Sequence, residues 1–264
     1  MEDCYGYISY GEDELYHLGA LFSALRLIHF SPGVKITVLT DKPFVFDRYP
    51  INTLELTETQ KTAMSFDNRY HFGIKAAGTI ELLKHCDRLL FMDTDMYPVG
   101  DLSNCFNRIS PSHSLMGVCK GRPKGDYEKL RGRHIAVGTQ ELTGTEPMWT
   151  SGILGVHKMN TNALTDAYAA LEEVSAIVTT HTPEQFCVGV ALSQGGRTIC
   201  PHRLPIRHYS TSGKKRFARS RIVAFFTEHG HKGIDCQIEL ARRVRLWRSP
   251  ADLLMQALRG KVTP

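Results

Sequence analysis

The stretch Arg88-Leu89-Leu90-Phe91-Met92 is followed directly by Asp93-Thr94-Asp95. A short apolar run of this kind is typical of a central strand that is buried on both faces of a sheet. Ligands of open α/β sheets bind at the carboxyl ends of such strands, which is where the two carboxylates fall. Because one residue separates them, a turn of the backbone lets both reach one hard cation, such as Mg²⁺ or Mn²⁺. The spacing by itself leaves open a plain solvent-facing acidic turn.

Upstream of this stretch, the sequence alternates between strand and helix patterns. Residues 5–10 predict a strand, and residues 12–30 predict a helix with apolar side chains at three- and four-residue steps. Residues 34–39 predict a second strand. This order and these lengths indicate a βαβ unit and therefore a parallel sheet. The chain lacks a GxGxxG loop there, so we do not favour a dinucleotide-binding fold.

The rest of the chain continues this alternation. We predict further strands or extended segments at 51–56, 151–156 and 199–206, and further helices at 69–86, 161–178 and 183–194. Residues 120–147 are polar and glycine-rich, which is typical of a functional or mobile loop. The predicted architecture is an α/β catalytic domain over residues 1–213, with a mostly parallel sheet flanked by helices. A basic helical extension follows over residues 214–264.

The charge of the chain is concentrated at its end. Residues 214–264 carry 12 Lys or Arg and 4 Asp or Glu, whereas residues 1–213 carry 20 and 23. The extension holds two helical candidates, the second beginning with Ser249 as cap and Pro250 at its first position. Its arginines are interleaved with apolar residues and Trp247, which predicts either peripheral contact with an anionic membrane or a helix packed on the catalytic domain. The segment contains no nucleic-acid-reading motif, so we expect no nucleic-acid partner.

Cysteine usage and apolar runs bear on the compartment. The seven cysteines form no CxxC pair, which argues against a structural zinc and favours free thiols in a reducing environment. The first residues lack a basic-then-apolar signal, and no apolar run approaches the roughly 20 residues that span a bilayer. We therefore expect a cytoplasmic protein, membrane-associated at most on the cytoplasmic face.

Residues 86–102, CDRLLFMDTDMYPVGDL, resemble the DxD region of GT-A glycosyltransferases. The likeness is greatest to family 8, which includes glycogenin and bacterial lipopolysaccharide galactosyltransferases. Three more segments are similar to that family in the same order, namely 148–154 (MWTSGIL), 182–185 (TPEQ) and 207–214 (RHYSTSGK). The resemblance covers about residues 5–215. It implies a GT-A fold and a metal-dependent, retaining transfer of a sugar from a nucleotide diphosphate sugar, a UDP-sugar above all.

The resemblance also implies roles for particular residues. The metal ligands would be Asp93, Asp95 and His208, holding Mn²⁺ or Mg²⁺ against the diphosphate. Glu184 and Gln185 would lie under the anomeric carbon as the catalytic residues. The donor-binding residues would be Tyr10, Gly11, Asp41, Lys75, Thr94, Ser151, Gly152, Gly213 and Lys214.

Several of these residues have plain structural alternatives. Lys75 and Glu184 could be exposed helix charges, His208 a packed histidine, and Lys214 part of a solvated basic run. The chain also departs from the family pattern, with Thr150 for Asn, Glu184 for Asp, Phe186 for a second Asp, and Lys215-Arg216 for Pro-Trp. The sugar and the acceptor, whether a glycan, a lipid-linked glycan or a protein, therefore stay open.

Three other functions share parts of this pattern. A haloacid-dehalogenase-type phosphatase also carries DxD after a strand, but it has Thr or Val where Tyr97 stands and places the motif near its start. A sugar nucleotidyltransferase would need a glycine-rich basic loop, whereas Gly11 is followed by acidic residues. A catalytically dead nucleotide-sugar-binding protein is the remaining alternative.

Overall fold

The computed structural model describes residues 1–249 and alternates strands with helices through its first half. In chain order the elements there are β1 (Asp3–Ser9), α1 (Glu14–Phe30), β2 (Ile36–Thr40), β3 (Asn52–Glu55), α2 (Glu58–Met64), α3 (Gly73–Leu83), β4 (Arg88–Met92) and β5 (Met96–Pro98). The strands and helices predicted for this half are all present. The hydrophobic pattern does not predict α2, although Thr57 and Gln60 form the capping box that begins it.

The second half completes the sheet and adds helices. Its elements are β6 (His113–Met116), β7 (Ala136–Val137), β8 (Gln140–Glu141), β9 (Ile153–His157), α4 (Thr161–Ile177), α5 (Pro183–Leu192), β10 (Thr198–Pro201), β11 (Ile206–His208), α6 (Ser212–His229) and α7 (Ile234–Arg243). The predicted strand at 151–156 and helices at 161–178 and 183–194 are confirmed. The extended segment at 199–206 divides, because its two ends pair with different partners. Residues 120–147 contain the short antiparallel hairpin of β7 and β8.

Seven strands form one central sheet, in the order β10-β6-β9-β4-β1-β2-β3. The pairs of β1 with β2, β1 with β4, β2 with β3 and β10 with β6 are parallel, and β9 runs antiparallel to both of its neighbours. The prediction of an α/β fold with a mostly parallel sheet flanked by helices is therefore confirmed. The carboxyl ends of β1, β2 and β4 meet at one edge, as parallel pairing requires.

Strand β4 explains why the sheet needs helices on both faces. Leu89 and Phe91 belong to one buried core, which α3, α4 and α5 cover, whereas Leu90 and Met92 belong to a second core on the opposite face. The second core is covered by α1, α6 and α7. Because successive strand side chains point to opposite faces, a continuous apolar run is what a doubly covered strand requires.

The basic C-terminal helices pack onto the rest of the chain. Ala218, Ile222, Phe225 and Ala241 are buried in the same core as α1. A buried arginine on α1, Arg26, donates hydrogen bonds to the carbonyl oxygens of Pro98 (2.8 Å), Ala241 (3.1 Å) and Val244 (3.0 Å). The carbonyl oxygen of Arg242 accepts a fourth bond at 3.4 Å, and these four carbonyls compensate the burial of the charge. They also tie the end of α7 to β5.

The basic extension is described as far as Ser249. The helix predicted to begin at Pro250, after the cap Ser249, lies outside the described residues. Within residues 1–249, no helix has the length and apolar character needed to cross a bilayer. The exposed part of the extension includes Arg243, Arg245 and Trp247. The prediction of membrane contact through this segment stays a prediction.

Candidate functional site

The chain turns sharply at the end of β4. The backbone N–H of Asp93 donates to the carbonyl of Gly152 (2.9 Å), and that of Met96 donates back to the carbonyl of Asp93 (3.0 Å). The chain then enters β5, which pairs antiparallel with β11 so that Met96 lies opposite His208. This register brings a residue more than a hundred positions away in sequence beside the acidic turn.

Asp95 is held by two cationic or protonatable side chains. One carboxylate oxygen lies 3.1 Å from His208 Nε2, and the other lies 3.1 Å from Lys215 Nζ. Burial alone would raise the pKa of Asp95, but the hydrogen bond and charge of His208 and the charge of Lys215 outweigh it and lower that pKa to about 2. Asp95 is therefore an anion at every physiological pH.

Asp93 belongs to a more deeply buried cluster. Lys75 Nζ lies 2.9 Å from Asp93 Oδ1 and 3.8 Å from Glu184 Oε2, and it donates to Ser151 Oγ at 3.1 Å. The hydroxyl of Ser151 in turn donates to Glu184 Oε2 at 2.6 Å. The exposed-charge alternatives for Lys75 and Glu184 are wrong, because their side chains are 12% and 5% exposed.

The protonation equilibria of this cluster follow from burial and pairing. Burial would lower the pKa of Lys75, but the negative charges of Asp93 and Glu184 outweigh that effect and raise it. Burial raises the pKa of Glu184, and its contacts with Lys75 and Ser151 only partly oppose the rise. The cluster thus holds one firm cation, Lys75, beside a carboxyl group, Glu184, whose pKa lies above its ordinary value.

Two glycines let the backbone approach these carboxylates closely. A Cβ on Gly152 would lie 2.4 Å from Met96 Cε and 3.1 Å from Asp93 Oδ2. A Cβ on Gly19 of α1 would lie 2.6 Å from the carbonyl oxygen of Thr94, which also accepts from the Tyr209 hydroxyl at 3.1 Å. A side chain at Gly19 would displace the backbone of the acidic turn, whereas one at Gly152 would first displace the Met96 side chain.

The ends of β1 and β2 form a second polar cluster at the same sheet edge. Asp41 accepts from the backbone N–H of Gly11 (2.9 Å) and from Lys61 Nζ (2.7 Å). Burial would raise the pKa of Asp41, but the hydrogen bonds from Lys61 and Gly11 lower it. Its other oxygen is buried without a hydrogen bond and lies 3.6 Å from His17 Nε2.

A cavity of about 220 Å³ opens between these groups. We call it the Asp93 pocket, and it is lined by Ile8, Tyr10, Tyr16, His71, Phe72, Lys75, Phe91, Asp93, Thr94, Asp95 and Lys215. The Tyr10 ring packs against His71 with ring centres 4.8 Å apart. Pockets for drug-sized ligands have volumes of roughly 300–1,000 Å³, so a nucleotide sugar would extend out of this cavity.

The fold brings most of the predicted site residues to one place. Tyr10, Lys75, Asp93, Thr94 and Asp95 line the Asp93 pocket. Ser151, Gly152, Glu184 and His208 contact those residues directly, as described above, and Gly11 and Asp41 lie beside Tyr10 at the sheet edge. Gln185 is turned away, with its side-chain amide against Met148 Sδ at 3.1 Å. Gly213 and Lys214 line a different cavity.

Sequence reasoning misses Lys215, Lys61 and the aromatic wall formed by Tyr16, His71 and Phe72. Lys214 matches the family spacing, but it is Lys215, one residue later on α6, that contacts Asp95. The helical phase of α6 decides between the two lysines, and that phase is not visible in a run of three basic residues. Lys61 lies on α2, the helix that the hydrophobic pattern does not predict.

The donor set suits a divalent cation bound together with a phosphate. Carboxylate oxygens and an imidazole nitrogen are ligands that Mn²⁺ accepts, and Mg²⁺ accepts the oxygens. Within residues 1–249, no three His, Cys, Asp or Glu side chains surround one point as they now stand. A cation would compete with Lys75 for Asp93 and with Lys215 for Asp95, so ligand binding would have to rearrange these contacts.

No protein-family model matches the chain, and no curated protein matches it.

Proposed function

We propose that the chain is a metal-dependent glycosyltransferase of the GT-A type, which uses a nucleotide diphosphate sugar of the UDP-sugar class. One observation carries the proposal. At the carboxyl edge of a parallel sheet, Asp93 and Asp95 follow the central strand while β11 brings His208 to 3.1 Å from Asp95. Ligands of open α/β sheets bind at such an edge.

The metal ligands of the proposal are Asp93, Asp95 and His208. A bound Mn²⁺ or Mg²⁺ would neutralise the charge that develops on the diphosphate as it leaves. The two anionic side chains supply hard oxygen ligands, and the antiparallel pairing of β5 with β11 fixes the imidazole. The cations Lys75 and Lys215, which hold the carboxylates in the free protein, are then positioned to pair with phosphate oxygens.

Nucleoside recognition is assigned to the neighbouring cluster. The Tyr10 ring, supported by His71, offers an apolar face for a base. Asp41 has a buried oxygen without a hydrogen bond, which would accept from a ribose hydroxyl or a base N–H. Gly11 has a φ of 98° and no atom near its missing Cβ, so its backbone leaves space at this point for a nucleoside.

The buried cluster is proposed to face the donor sugar. Glu184 lies at the first turn of α5, and Ser151, Gly152 and Lys75 surround it. In the reaction a bond forms between the acceptor oxygen and the anomeric carbon, the bond to the diphosphate breaks, and the acceptor proton passes to the leaving group. Glu184 would position the sugar and stabilise positive charge at the anomeric carbon. Gln185 would reach the sugar only by leaving Met148.

A second candidate function is binding of a nucleotide sugar without catalysis. The observation that favours it is the pairing of both acidic side chains with lysines, which resembles a site where fixed cations replace a metal. The two candidates differ in whether the bond to the diphosphate is cleaved.

A donor screen separates them. The full chain is incubated with a panel of UDP-sugars with and without Mn²⁺, and released UDP is measured. We expect metal-dependent UDP release from at least one donor, lowered roughly 100-fold or more by Asp95→Asn, since a metal supplies several kcal/mol to such reactions. Asp47→Asn, which removes an exposed carboxylate outside the pocket, is the matched control. Binding without UDP release would favour the second candidate, and inorganic phosphate from simple esters would contradict both.

A further inference from the structure

A second cavity, of about 570 Å³, lies on the other side of His208 from the Asp93 pocket. Its walls come from β11, from the start of α6 and from the segment after α7. We call it the Trp247 cavity, and the residues that matter here are Arg207, His208, Lys214, Phe217, Trp247 and Arg248. It is large enough to hold a drug-sized ligand.

The cations of this cavity have no carboxylate partner among the described residues. Arg207, Lys214 and Arg248 line it, no Asp or Glu of residues 1–249 does, and none lies within ion-pair distance of these three side chains. Two nearby arginines do have a carboxylate partner, since Arg242 and Arg243 both form ion pairs with Glu239. Positive charge without a carboxylate partner among residues 1–249 therefore lines the cavity.

The start of α6 adds to this positive potential. The amino end of a helix carries partial positive charge and favours anions. The first turn of this 18-residue helix nevertheless has no acidic residue, and Thr211 does not cap it with its side chain. Lys214 stands in that turn instead. A lysine there is unfavourable beside the positive end of the helix dipole, and an anionic ligand would offset that cost.

The opposite wall is aromatic. The guanidinium of Arg207 lies over the Trp247 ring at 3.9 Å, and that of Arg248 lies over the Phe217 ring at 5.6 Å. Trp247 is still 40% exposed, so part of its ring faces the cavity or the solvent beyond it. A flat apolar ring packs well against the C–H face of a sugar, whereas a phosphate alone gains nothing from it.

We propose that the Trp247 cavity binds a saccharide that carries a phosphate group. Arg207, Lys214 and Arg248 bind the phosphate, and Trp247 packs against the sugar ring. Its role as the acceptor site rests on the proposed transferase function, because His208 lines this cavity and also contacts Asp95. The binding site itself needs neither a nucleotide nor a metal.

The test uses Trp247 as its own reporter. The chain has two tryptophans, so a Trp149→Phe background leaves Trp247 as the sole tryptophan, whose emission can be excited selectively over that of the tyrosines. Glucose 6-phosphate is titrated without nucleotide or metal, and glucose, inorganic phosphate and phosphatidylglycerol vesicles are titrated in parallel. We expect a saturable change in emission with glucose 6-phosphate, with weaker binding of glucose and of phosphate.

Three variants make the test specific. Lys214→Gln and Arg248→Gln should each weaken glucose 6-phosphate binding about tenfold, the usual effect of losing one charge-assisted hydrogen bond. Arg216→Gln removes the same charge from the same turn of α6 but does not line the cavity, and it should leave binding unchanged. Circular dichroism and thermal unfolding show whether each variant is folded.

Several outcomes would overturn the proposal. One is that glucose 6-phosphate does not change the emission of Trp247, and another is that Arg216→Gln weakens its binding as much as the cavity variants do. A third is that only the vesicles change the emission, which would assign the surface to a membrane instead. Binding of glucose 6-phosphate by a protein that releases UDP from no donor would support the binding site. The same result would overturn the role of the Trp247 cavity as an acceptor site, together with the proposed transferase function.

Discussion

The Asp93 pocket and the Trp247 cavity are neighbours, and both contain several cations, but their charges are balanced in opposite ways. In and beside the Asp93 pocket, each lysine has a carboxylate partner, with Lys75 on Asp93, Lys215 on Asp95 and Lys61 on Asp41. In the Trp247 cavity, no carboxylate of residues 1–249 partners the cations. Paired charges preorganise a site for a ligand that is itself a cation and anion together, such as a metal diphosphate. Cations without a carboxylate partner, as in the Trp247 cavity, instead favour a ligand that carries negative charge alone.

The largest expected effect comes from breaking the most buried pairing. Lys75→Met leaves Asp93 and Glu184 without their cation, and loss of one partner of a buried ion pair typically costs about 3–5 kcal/mol. Urea unfolding of the full chain measures this loss. Lys84→Met is the matched control on the same stretch of chain, because the pair of Lys84 with Glu81 is exposed and worth about 0–1 kcal/mol. Equal losses in the two variants would contradict the buried-pair account.

A double variant tests whether Lys75 stabilises the protein through Glu184. Glu184→Gln in the Lys75→Met background removes one of the two carboxyl groups left unpaired. We expect it to restore part of the lost free energy of unfolding, since residues in one network are not additive. Additive losses would show that Lys75 does not act on Glu184.

Two consecutive lysines on α6 test whether the Asp93 pocket and the Trp247 cavity have separate functions. Lys215→Met should lower UDP release from the preferred donor about 100-fold, because removing a charged group that stabilises a transition state costs a few kcal/mol. Lys214→Met should leave donor hydrolysis nearly unchanged, since that side chain lines the other cavity. A larger loss in Lys214→Met would favour the role that family spacing predicts for Lys214.

Asp41 offers a smaller and pH-dependent effect. Asp41→Asn should lower stability at pH 7 by about 1–3 kcal/mol, the value of a charge-assisted hydrogen bond. Lys61 and Gly11 hold the pKa of Asp41 below its ordinary value in the folded state. Its stabilising contribution is therefore present above the unfolded pKa and is lost as pH falls through the folded pKa. The unfolding midpoints of wild type and variant should converge between pH 4 and the lowest pH at which the protein is folded. A difference between the two midpoints that does not change with pH would contradict the pairing of Asp41 with Lys61 and Gly11.

Much of the fold follows from sequence patterns. The apolar run of β4 predicts a strand buried on both faces, and the strand and helix periods upstream predict the parallel order of β1, β2 and β4. These features depend on local sequence and on burial. The path of β11 is different, since its pairing with β5 is fixed by contacts between distant segments, and only the resemblance links His208 to the acidic turn.

The site is predictable in its residue types but less so in its contacts. Sequence reasoning identifies Lys75, Asp93 and Glu184, but not that they share one buried cluster with Ser151. It chooses Lys214 over Lys215, because the phase of a helix at its first turn depends on where the cap falls. It does not find the Trp247 cavity, which forms only when α7 and the residues that follow it up to Arg248 pack against the rest of the fold.

The central claim is that Asp93, Asp95 and His208 bind a divalent metal together with a nucleotide diphosphate. Electron paramagnetic resonance of Mn²⁺ titrated with the full chain, with and without UDP, tests it most directly. The account predicts that UDP tightens Mn²⁺ binding about tenfold or more, as expected for coupled ligands, and that Asp95→Asn abolishes the effect while Asp47→Asn does not. Mn²⁺ that stays free in the presence of UDP, or that binds Asp95→Asn as tightly as wild type, would contradict it.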